Sequence, residues 1–292
     1  MDLRDFKESR NVEDRRAAGA SFGRGISLRG VMFLWPLIRM LLKTKFGWAI
    51  IAVGAFLYFS GYNPLHLLGG SSTASRHSSP KEQQEAVMIK KVLASTEEVW
   101  SDILRKYGMH YKKPVLVLYR GATHSGCGSA QAQMGPFYCP ADQKVYLDLG
   151  FFDELARRHN APGDFAQAYV LAHEIGHHIQ NLQGTLAKVQ RLQQRLGGHN
   201  RQANALQVRV ELQADCYSGI WAHYAQKKFH ILEPGDISEA LNAASSIGDD
   251  RLQKETQGYV VPDAFTHGTS AQRVAWFKRG FISGDLRACN TF

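Results

Sequence analysis

From residue 81 onwards, apolar residues recur in several segments at the three- to four-residue spacing of amphipathic helices. This spacing predicts a helix that starts after Lys81 and ends near Gly108. It also predicts helices at residues 164–183, 186–196, 202–228, 237–247 and 271–281. Two short apolar runs, VLVLY at 115–119 and VYLDL at 145–149, predict strands. Strands followed by a series of helices indicate an α+β domain rather than alternating βαβ units.

A different pattern, with no polar face, occurs nearer the start of the chain. Residues 46–59 (FGWAIIAVGAFLYF) carry no charge, and the charge-free stretch continues through Leu68. Because a bilayer core requires about 20 apolar residues of helix, residues 46–66 are predicted to be a transmembrane anchor, with a buried core helix as the alternative. The apolar residues 31–42, interrupted by Pro36 and Arg39, are predicted either to lie along the membrane surface or to form half of a hairpin that would reverse the topology.

Charge is distributed unevenly in this chain of 292 residues. The net charge is +9, and residues 1–45 contain ten Lys and Arg against five Asp and Glu, which is more than half of that excess. A basic tail at a membrane surface explains this asymmetry better than a nucleic-acid-binding patch on the folded body. The positive-inside rule then places the tail in the cytoplasm and everything after Gly70 outside.

These observations predict four parts. Residues 1–45 form a basic cytoplasmic tail, 46–66 a single-pass anchor, 67–81 a flexible Gly/Ser-rich linker, and 82–292 one domain that is periplasmic or extracellular. A composition of 44% hydrophobic and 21% charged residues excludes wholesale disorder.

The four cysteines, Cys127, Cys139, Cys216 and Cys289, all follow the predicted anchor. None has the C-x-x-C spacing that is typical of structural zinc sites and thioredoxin-like motifs. An even number in an extracytoplasmic domain favours two disulfides, for which three connectivities exist. Because Cys127 and Cys139 flank a loop rich in Gly, Pro and Gln, we pair them and assign Cys216 to Cys289. Four free buried thiols in a cytosolic protein are the alternative.

The segment HEIGH at 173–177 carries the most specific chemistry. Residues four apart share a helix face, so His173 and His177 can direct ring nitrogens at one Zn²⁺. Glu174 lies beside that face, where it can act as the general base on a water molecule. Two histidines on a helix face with no metal are the alternative. His178 is rotated about 100° from the ligand face and is not a predicted ligand.

A catalytic zinc site requires a third protein ligand and an open position. The third histidine of HExxHxxGxxH is missing, because the chain continues IQNL after His178. The remaining source of a third ligand is a glutamate on a later helix, and the segment ELQAD at 211–215 contains one. Glu211 is the predicted third ligand. Asp215, four residues later on the same face, is predicted to accept the outer ring N–H of a ligand histidine.

Several further segments occur in a fixed order: NVEDRR, GCG, MGPFYCPAD, GDFAQAYVLAHEIGHHIQ, ELQADC, EALNAA, IGDDRLQ and FTHGTSAQR. Together they resemble the bacterial neutral zinc metallopeptidases, and HExxH with a downstream ExxxD is also similar to the glutamate-ligated zincins. The resemblance implies a membrane-anchored protein with one zincin-like domain, mostly helical with a small sheet. It also implies an edge strand that pairs with the substrate backbone, a place that residues 145–149 occupy in chain order.

The segment THGTS at 266–270, followed by Arg273, is similar to a His-then-Arg element found late in some membrane-associated zincins. The resemblance implies that His267 stabilises the oxyanion formed from the substrate carbonyl. It places Arg273 in the same site. Alternatively, Thr269 or Ser270 caps the last helix and His267 only packs nearby.

The sequence therefore predicts a membrane-anchored metallopeptidase with one Zn²⁺ per chain. Its expected partners are a peptide or protein substrate and the membrane, and not nucleic acid. Two alternatives remain: a catalytically weak, zinc-stabilised protein that binds envelope partners, and a hydrolase of another amide such as a cell-wall peptide. Glu174 argues against the first alternative, because a purely structural site has no use for a base beside its water.

Overall fold

The computed structural model describes residues 1–17, 79–131, 134–159, 161, 163–198 and 200–292. The predicted anchor at 46–66, the apolar stretch at 31–42 and most of the predicted linker lie outside the described residues. Among the helices that are described, none is both long enough and apolar enough to cross a membrane.

Helices make up most of the described chain. They are α1 (Pro80–Lys106), α2 (Gly150–His159), α3 (Asp164–Leu182), α4 (Thr185–Arg195), α5 (Arg201–Phe229), α6 (Asp236–Ser246), α7 (Asp249–Gln257) and α8 (Ser270–Ser283). The six helices predicted from apolar spacing are confirmed to within a few residues. Helices α2 and α7 were not predicted. Helix α7, DDRLQKETQ, is polar except for Leu252, so it has no apolar periodicity to detect.

A small mixed sheet accompanies the helices. Its strands are β1 (Val12–Asp14), β2 (Val115–Tyr119), β5 (Phe137–Cys139) and β6 (Lys144–Asp148), in the order β1-β2-β6-β5. Strands β1, β2 and β6 are parallel, and β5 runs antiparallel to β6. A separate hairpin pairs β3 (Ala122–Ser125) with β4 (Gly128–Gln131). The expectation of a mostly helical α+β domain with a small sheet is confirmed.

The predicted edge strand is wrong. Residues 145–149 overlap β6, which pairs with β2 on one side and β5 on the other. The strand at that end of the sheet is β5, which is only three residues long and precedes a tight turn. The sequence of β5, FYC, is too short to give an alternating pattern. The prediction from chain order therefore selected the neighbouring strand, β6, as the edge.

Two close helix contacts position the centre of the domain. A Cβ atom on Gly176 would lie 2.9 Å from the carbonyl oxygen of Ala214, so α3 and α5 approach at a distance that only glycine permits. A Cβ atom on Gly280 would likewise lie 1.9 Å from the carbonyl oxygen of Cys216, where α8 crosses α5. Helix α5 is therefore held against both α3 and α8 along its middle turns.

Residues 1–17 belong to the same compact unit as the rest of the described chain. Strand β1 pairs with β2, and the side chains of Ser9 and Asn11 donate hydrogen bonds of 2.6 and 2.8 Å to the buried carboxylate of Glu97. The positive charge of residues 1–45 predicts a basic tail here instead. Their charge content did not reveal that they complete a sheet.

Both predicted disulfides are confirmed. Cys127 bonds to Cys139, and Cys216 bonds to Cys289. The first bond closes the loop that contains β4. The second attaches residues near the end of the chain to the middle of α5.

Candidate metal centre

Three predicted ligands converge between α3 and α5. The Oε2 atom of Glu211 lies 3.1 Å from Nε2 of His173 and 3.4 Å from Nε2 of His177. One donor atom from each of the three residues lies within 4.8 Å of the others. His173 and Glu211 are buried, and His177 is largely so. The four-residue spacing on α3 and the close approach at Gly176 together account for this convergence.

Asp215 fixes the orientation of His173. Its Oδ1 atom accepts hydrogen bonds from Nδ1 of His173 at 2.9 Å and from the hydroxyl of Tyr169 at 2.6 Å. Because Asp215 holds Nδ1 of His173, Nε2 is the ring nitrogen that faces Glu211 and can bind a metal. The structure therefore brings Asp215 to the histidine that the sequence analysis left unspecified.

Arg273 is buried against this contact and also contributes to the lining of the cleft. Its Nε and Nη2 atoms each donate to a different oxygen of Asp215 at 2.9 Å, and Nη2 also donates to the Tyr169 hydroxyl at 3.2 Å. Burial alone would raise the pKa of Asp215, but the charge of Arg273 and the contact with His173 hold it below the ordinary value. Asp215 therefore stays ionised although it is fully buried.

His177 is oriented by a residue that the sequence analysis did not single out. Its Nδ1 atom donates to Oε1 of Gln180 at 2.9 Å, and the Gln180 amide donates in turn to the carbonyl of Val210 at 2.7 Å. This leaves Nε2 of His177 as the donor atom for a metal. Gln180 follows His177 by three residues on the same helix. That spacing is the one feature of the sequence from which the contact could have been predicted.

Glu174 lies at the floor of the same cleft. Its side chain is buried, and within the described residues it makes no hydrogen bond. None of the described residues hydrogen-bonds to the Glu174 carboxylate, so this carboxylate can contact a molecule in the cleft.

His267 lines the cleft and is held by Asp249, at the first turn of α7. Its Nδ1 atom contacts Oδ1 of Asp249 at 3.1 Å, while Oδ2 of Asp249 accepts the backbone N–H groups of Thr266, His267 and Gly268. The hydrogen bond with Asp249 raises the pKa of His267 above its ordinary value. Thr269 caps the N-terminus of α8, as the alternative interpretation predicted, and His267 nevertheless lines the cleft.

His178 points away from the ligands. Its Nε2 atom donates to the carbonyl of Lys112 at 2.6 Å, and its Nδ1 atom lies 3.0 Å from the hydroxyl of Tyr138 on β5. Burial lowers the pKa of His178 to about 4, so the ring is neutral near pH 7. His178 therefore links α3 to the end strand of the sheet.

The cleft has a volume of about 900 Å³ and is open to solvent at one side. Aromatic rings of Phe137 and Tyr138 form one wall, together with the disulfide-closed loop, and Leu186 and Val189 of α4 form part of another. The metal-ligand candidates lie at its floor. A cleft of this size and lining can admit an extended chain or a small molecule.

The three ligand candidates fit a zinc ion. Two imidazole nitrogens and one carboxylate oxygen are the donor set of catalytic zinc sites that keep a fourth position open. Each histidine has its other ring nitrogen occupied by a fixed acceptor, as zinc ligands require. The donor set and its fixed ring orientations therefore fit a zinc ion.

The fold and this centre define a helical α+β protein with a His₂Glu site. A family model described as "Putative neutral zinc metallopeptidase" matches residues 1–292. The chain belongs to this family. The "Uncharacterized protein YpfJ" of Escherichia coli K12 is 48% identical over 290 residues, which cover 98% of this chain and 96% of that protein.

Shorter matches occur in mycobacteria. The "Uncharacterized protein Mb2605" of Mycobacterium bovis and "Uncharacterized protein Rv2575" of Mycobacterium tuberculosis H37Rv are each 43% identical over 208 residues. That stretch covers 68% of this chain and 67% of each relative. No solved structure matches the chain.

Proposed function

We propose that this protein is a zinc-dependent metallopeptidase that hydrolyses peptide bonds. The observation that carries the proposal is the convergence of His173, His177 and Glu211 at the floor of an open cleft, with the carboxylate of Glu174 beside them. A structural zinc site is closed by four protein ligands, whereas a catalytic site keeps one position for water or substrate. Three ligands below an open cleft favour the catalytic type.

Each residue then has a distinct role. His173, His177 and Glu211 would hold the ion, and bound zinc supplies Lewis acidity that polarises a carbonyl and lowers the pKa of water. Glu174 accepts the proton of the attacking water and later gives it to the leaving amine. His267 donates a hydrogen bond to the carbonyl oxygen as it becomes an oxyanion. Asp215 and Arg273 keep His173 in one orientation.

The proposed fold type is zincin-like, and β5 supplies the edge along which a peptide can pair. Its residues Phe137 and Tyr138 line the cleft. The contact of Tyr138 with His178 fixes the distance between this strand and the ligand helix. An extended peptide bound along β5 would pass over the three ligands.

We also propose that the protein is anchored in the cell membrane with its catalytic domain outside the cytoplasm. The two disulfides support the extracytoplasmic location, because disulfides persist in oxidising compartments. Residues 1–17 share a sheet with that domain, so they must lie on the same side. We therefore propose that residues 1–17 lie outside the cytoplasm with the catalytic domain, and not in the cytoplasm as the charge of residues 1–45 predicts.

Removal of the metal tests the proposed function. The purified full chain is expected to contain about one zinc ion, to cleave a quenched-fluorescence peptide library, and to lose both properties with a chelator because three ligands hold the ion. Added zinc should restore cleavage. Zinc content is measured by elemental analysis and cleavage by fluorescence. Stoichiometric zinc without cleavage of any peptide would support the scaffold alternative, and cleavage of cell-wall peptides alone would support the other amide hydrolase.

A second prediction concerns Asp249. When Nδ1 of His267 donates to Asp249, only the protonated ring still has an N–H at Nε2 for the substrate. Asp249→Asn removes the group that raises the pKa of His267, so the high-pH limb of kcat/KM is expected to move to lower pH. The loss of kcat near neutral pH should be less than the about 10²–10³-fold cost of removing an oxyanion donor.

The matched control for this prediction is the neighbouring residue. Asp250 accepts hydrogen bonds from Ser270 and does not contact His267. Asp250→Asn should therefore leave the high-pH limb in place. Equal displacement of the limb by both substitutions would show that the loop, and not the Asp249–His267 contact, sets the profile.

A further inference from the structure

One surface of the domain is formed by a stretch of chain that contains several bases and no acids. No Asp or Glu occurs between Glu174 and Glu211, a stretch that includes all of α4 and the first turns of α5. The bases of this stretch are Lys188, Arg191, Arg195, Arg201 and Arg209. All five are exposed.

Most of these bases lack an acidic partner. Arg201 pairs with Asp263, but within the described residues the other four make no ion pair. Several other exposed bases of the described residues pair with an acid. Arg4 pairs with Asp2, Lys81 with Asp153, and Lys228 with Asp102. Four uncompensated charges in one region therefore indicate a surface that faces an anionic partner.

An apolar groove lies among these bases, between α4 and α5. Its lining includes Leu192, Leu196, Ala205 and Leu206, with Arg195 and Arg209 at its edge. Leu196 is 37% exposed, although it is a large apolar residue. We call this surface, with Lys188 and Arg191 next to it on α4, the α4–α5 groove.

We propose that the α4–α5 groove docks on an anionic lipid surface. A helical surface that combines leucines with lysines and arginines is typical of proteins that lie in the membrane interface. Its leucines enter the boundary between headgroups and acyl chains, and its bases contact the lipid phosphates. The groove is separate from the metal centre, so this proposal does not depend on peptide hydrolysis.

The groove fits a lipid surface better than a protein partner. Its lining offers no buried polar side chain that would fix the orientation of a protein, whereas lipid headgroups impose no such geometry. Specific protein interfaces usually place several hydrogen bonds around an apolar centre. Binding of a lipid surface to the groove requires only apolar contact and the charge of the exposed bases around it.

Docking would place the catalytic cleft close to the membrane. Leu186, Val189 and Gln193 of α4 line the cleft, while Leu192, Arg195 and Leu196 of the same helix line the groove. The two sites are therefore separated by about the diameter of one helix, roughly 10 Å. Polypeptides emerging from the bilayer are the chains that such an arrangement can reach.

A fluorophore on the groove tests the proposal in the full chain. Gln202 lines the groove and is exposed, and all four native cysteines are in disulfides, so Gln202→Cys provides one reactive thiol. The labelled protein is placed in nanodiscs with nitroxide-labelled lipid headgroups, containing either phosphatidylglycerol or phosphatidylcholine alone. Quenching is expected in the anionic discs and not in the neutral ones, and added salt should reduce it.

Charge variants identify the surface. Each base near an anionic membrane strengthens binding about fivefold, so Arg191→Gln with Arg195→Gln should lower the ratio of docked to undocked protein about 25-fold. The matched control is Lys106→Gln with Lys227→Gln. It changes the net charge equally, and Lys227 lies on α5 about 27 Å beyond Arg209.

Each outcome of the quenching experiment either supports or overturns the proposed lipid docking. Quenching that the arginine variant loses and the control retains supports the proposal. Equal losses in both variants would assign the effect to net charge and overturn it. Absence of quenching in anionic discs overturns it as well. If an acidic peptide then shifts the label's emission in an Arg191-dependent way, the groove is a site for a protein.

Discussion

Glu174→Gln is expected to retain about one zinc ion per chain and to lose nearly all peptide hydrolysis. The side chain lies in the cleft and is not among the three residues that converge as ligands, so its amide replacement leaves metal binding in place. It cannot accept the proton of the attacking water. Loss of a general base alone lowers the rate about 10²–10⁴-fold.

The measurement is kcat and KM on a cleaved peptide, together with zinc content. KM should change little, because Gln has the same shape and still fits the cleft, whereas kcat should fall. Glu154→Gln is the matched control, since Glu154 is exposed on α2 and makes the same chemical change away from the cleft. Loss of zinc from Glu174→Gln would instead make Glu174 a ligand and contradict its proposed role.

The ligand helix was predictable because its chemistry is local. The four-residue spacing of His173 and His177 places both rings on one face whatever else the chain does, and Glu174 follows from the same geometry. Glu211 was harder, because its distance from these histidines is set by a helix contact and not by spacing. Gly176 controls that distance, since it lets α3 approach the backbone at Ala214.

The groups that orient the ligands were only partly predictable. Asp215 was identified because it shares a helix face with Glu211. Asp249 could not be identified, because it reaches His267 through a loop fold in which one carboxylate oxygen accepts three backbone N–H groups. Such an arrangement leaves no periodic signal in the sequence. Arg273 was named by resemblance, and only the structure places it against Asp215 and Tyr169.

The sheet was the least predictable part of the fold. Strands β1 and β5 have three residues each, which is too short for a pattern of alternating apolar and polar positions to emerge. Strand β1 also lies in a segment whose charge pointed to a tail. Its place in the sheet depends on pairing with β2, about 100 residues later, and long-range pairing of this kind is determined by packing. The location of residues 1–17 therefore had to come from the structure.

Glu211→Ala is expected to abolish stable zinc binding while the domain remains folded. With two imidazoles alone, the ion loses its negatively charged carboxylate ligand, and water must fill two coordination positions. The affinity should therefore fall further than the about 10–100-fold expected for Asp215→Asn, which only releases the orientation of His173. Competition with a chromophoric chelator measures both affinities.

The comparison between variants makes this prediction decisive. Glu211→Gln retains the shape and can still accept the amide of Gln207, which donates to Oε1 of Glu211 at 2.9 Å, so it separates ligand charge from packing. Thermal unfolding of each variant in the presence of a chelator checks that the fold is intact. The expected order of zinc affinity is wild type, then Asp215→Asn, then Glu211→Gln and Glu211→Ala. If Glu211→Ala binds zinc as tightly as the wild type while substitution of another cleft carboxylate abolishes binding, then the third ligand is that other residue, and the roles around His173 and His177 must be reassigned.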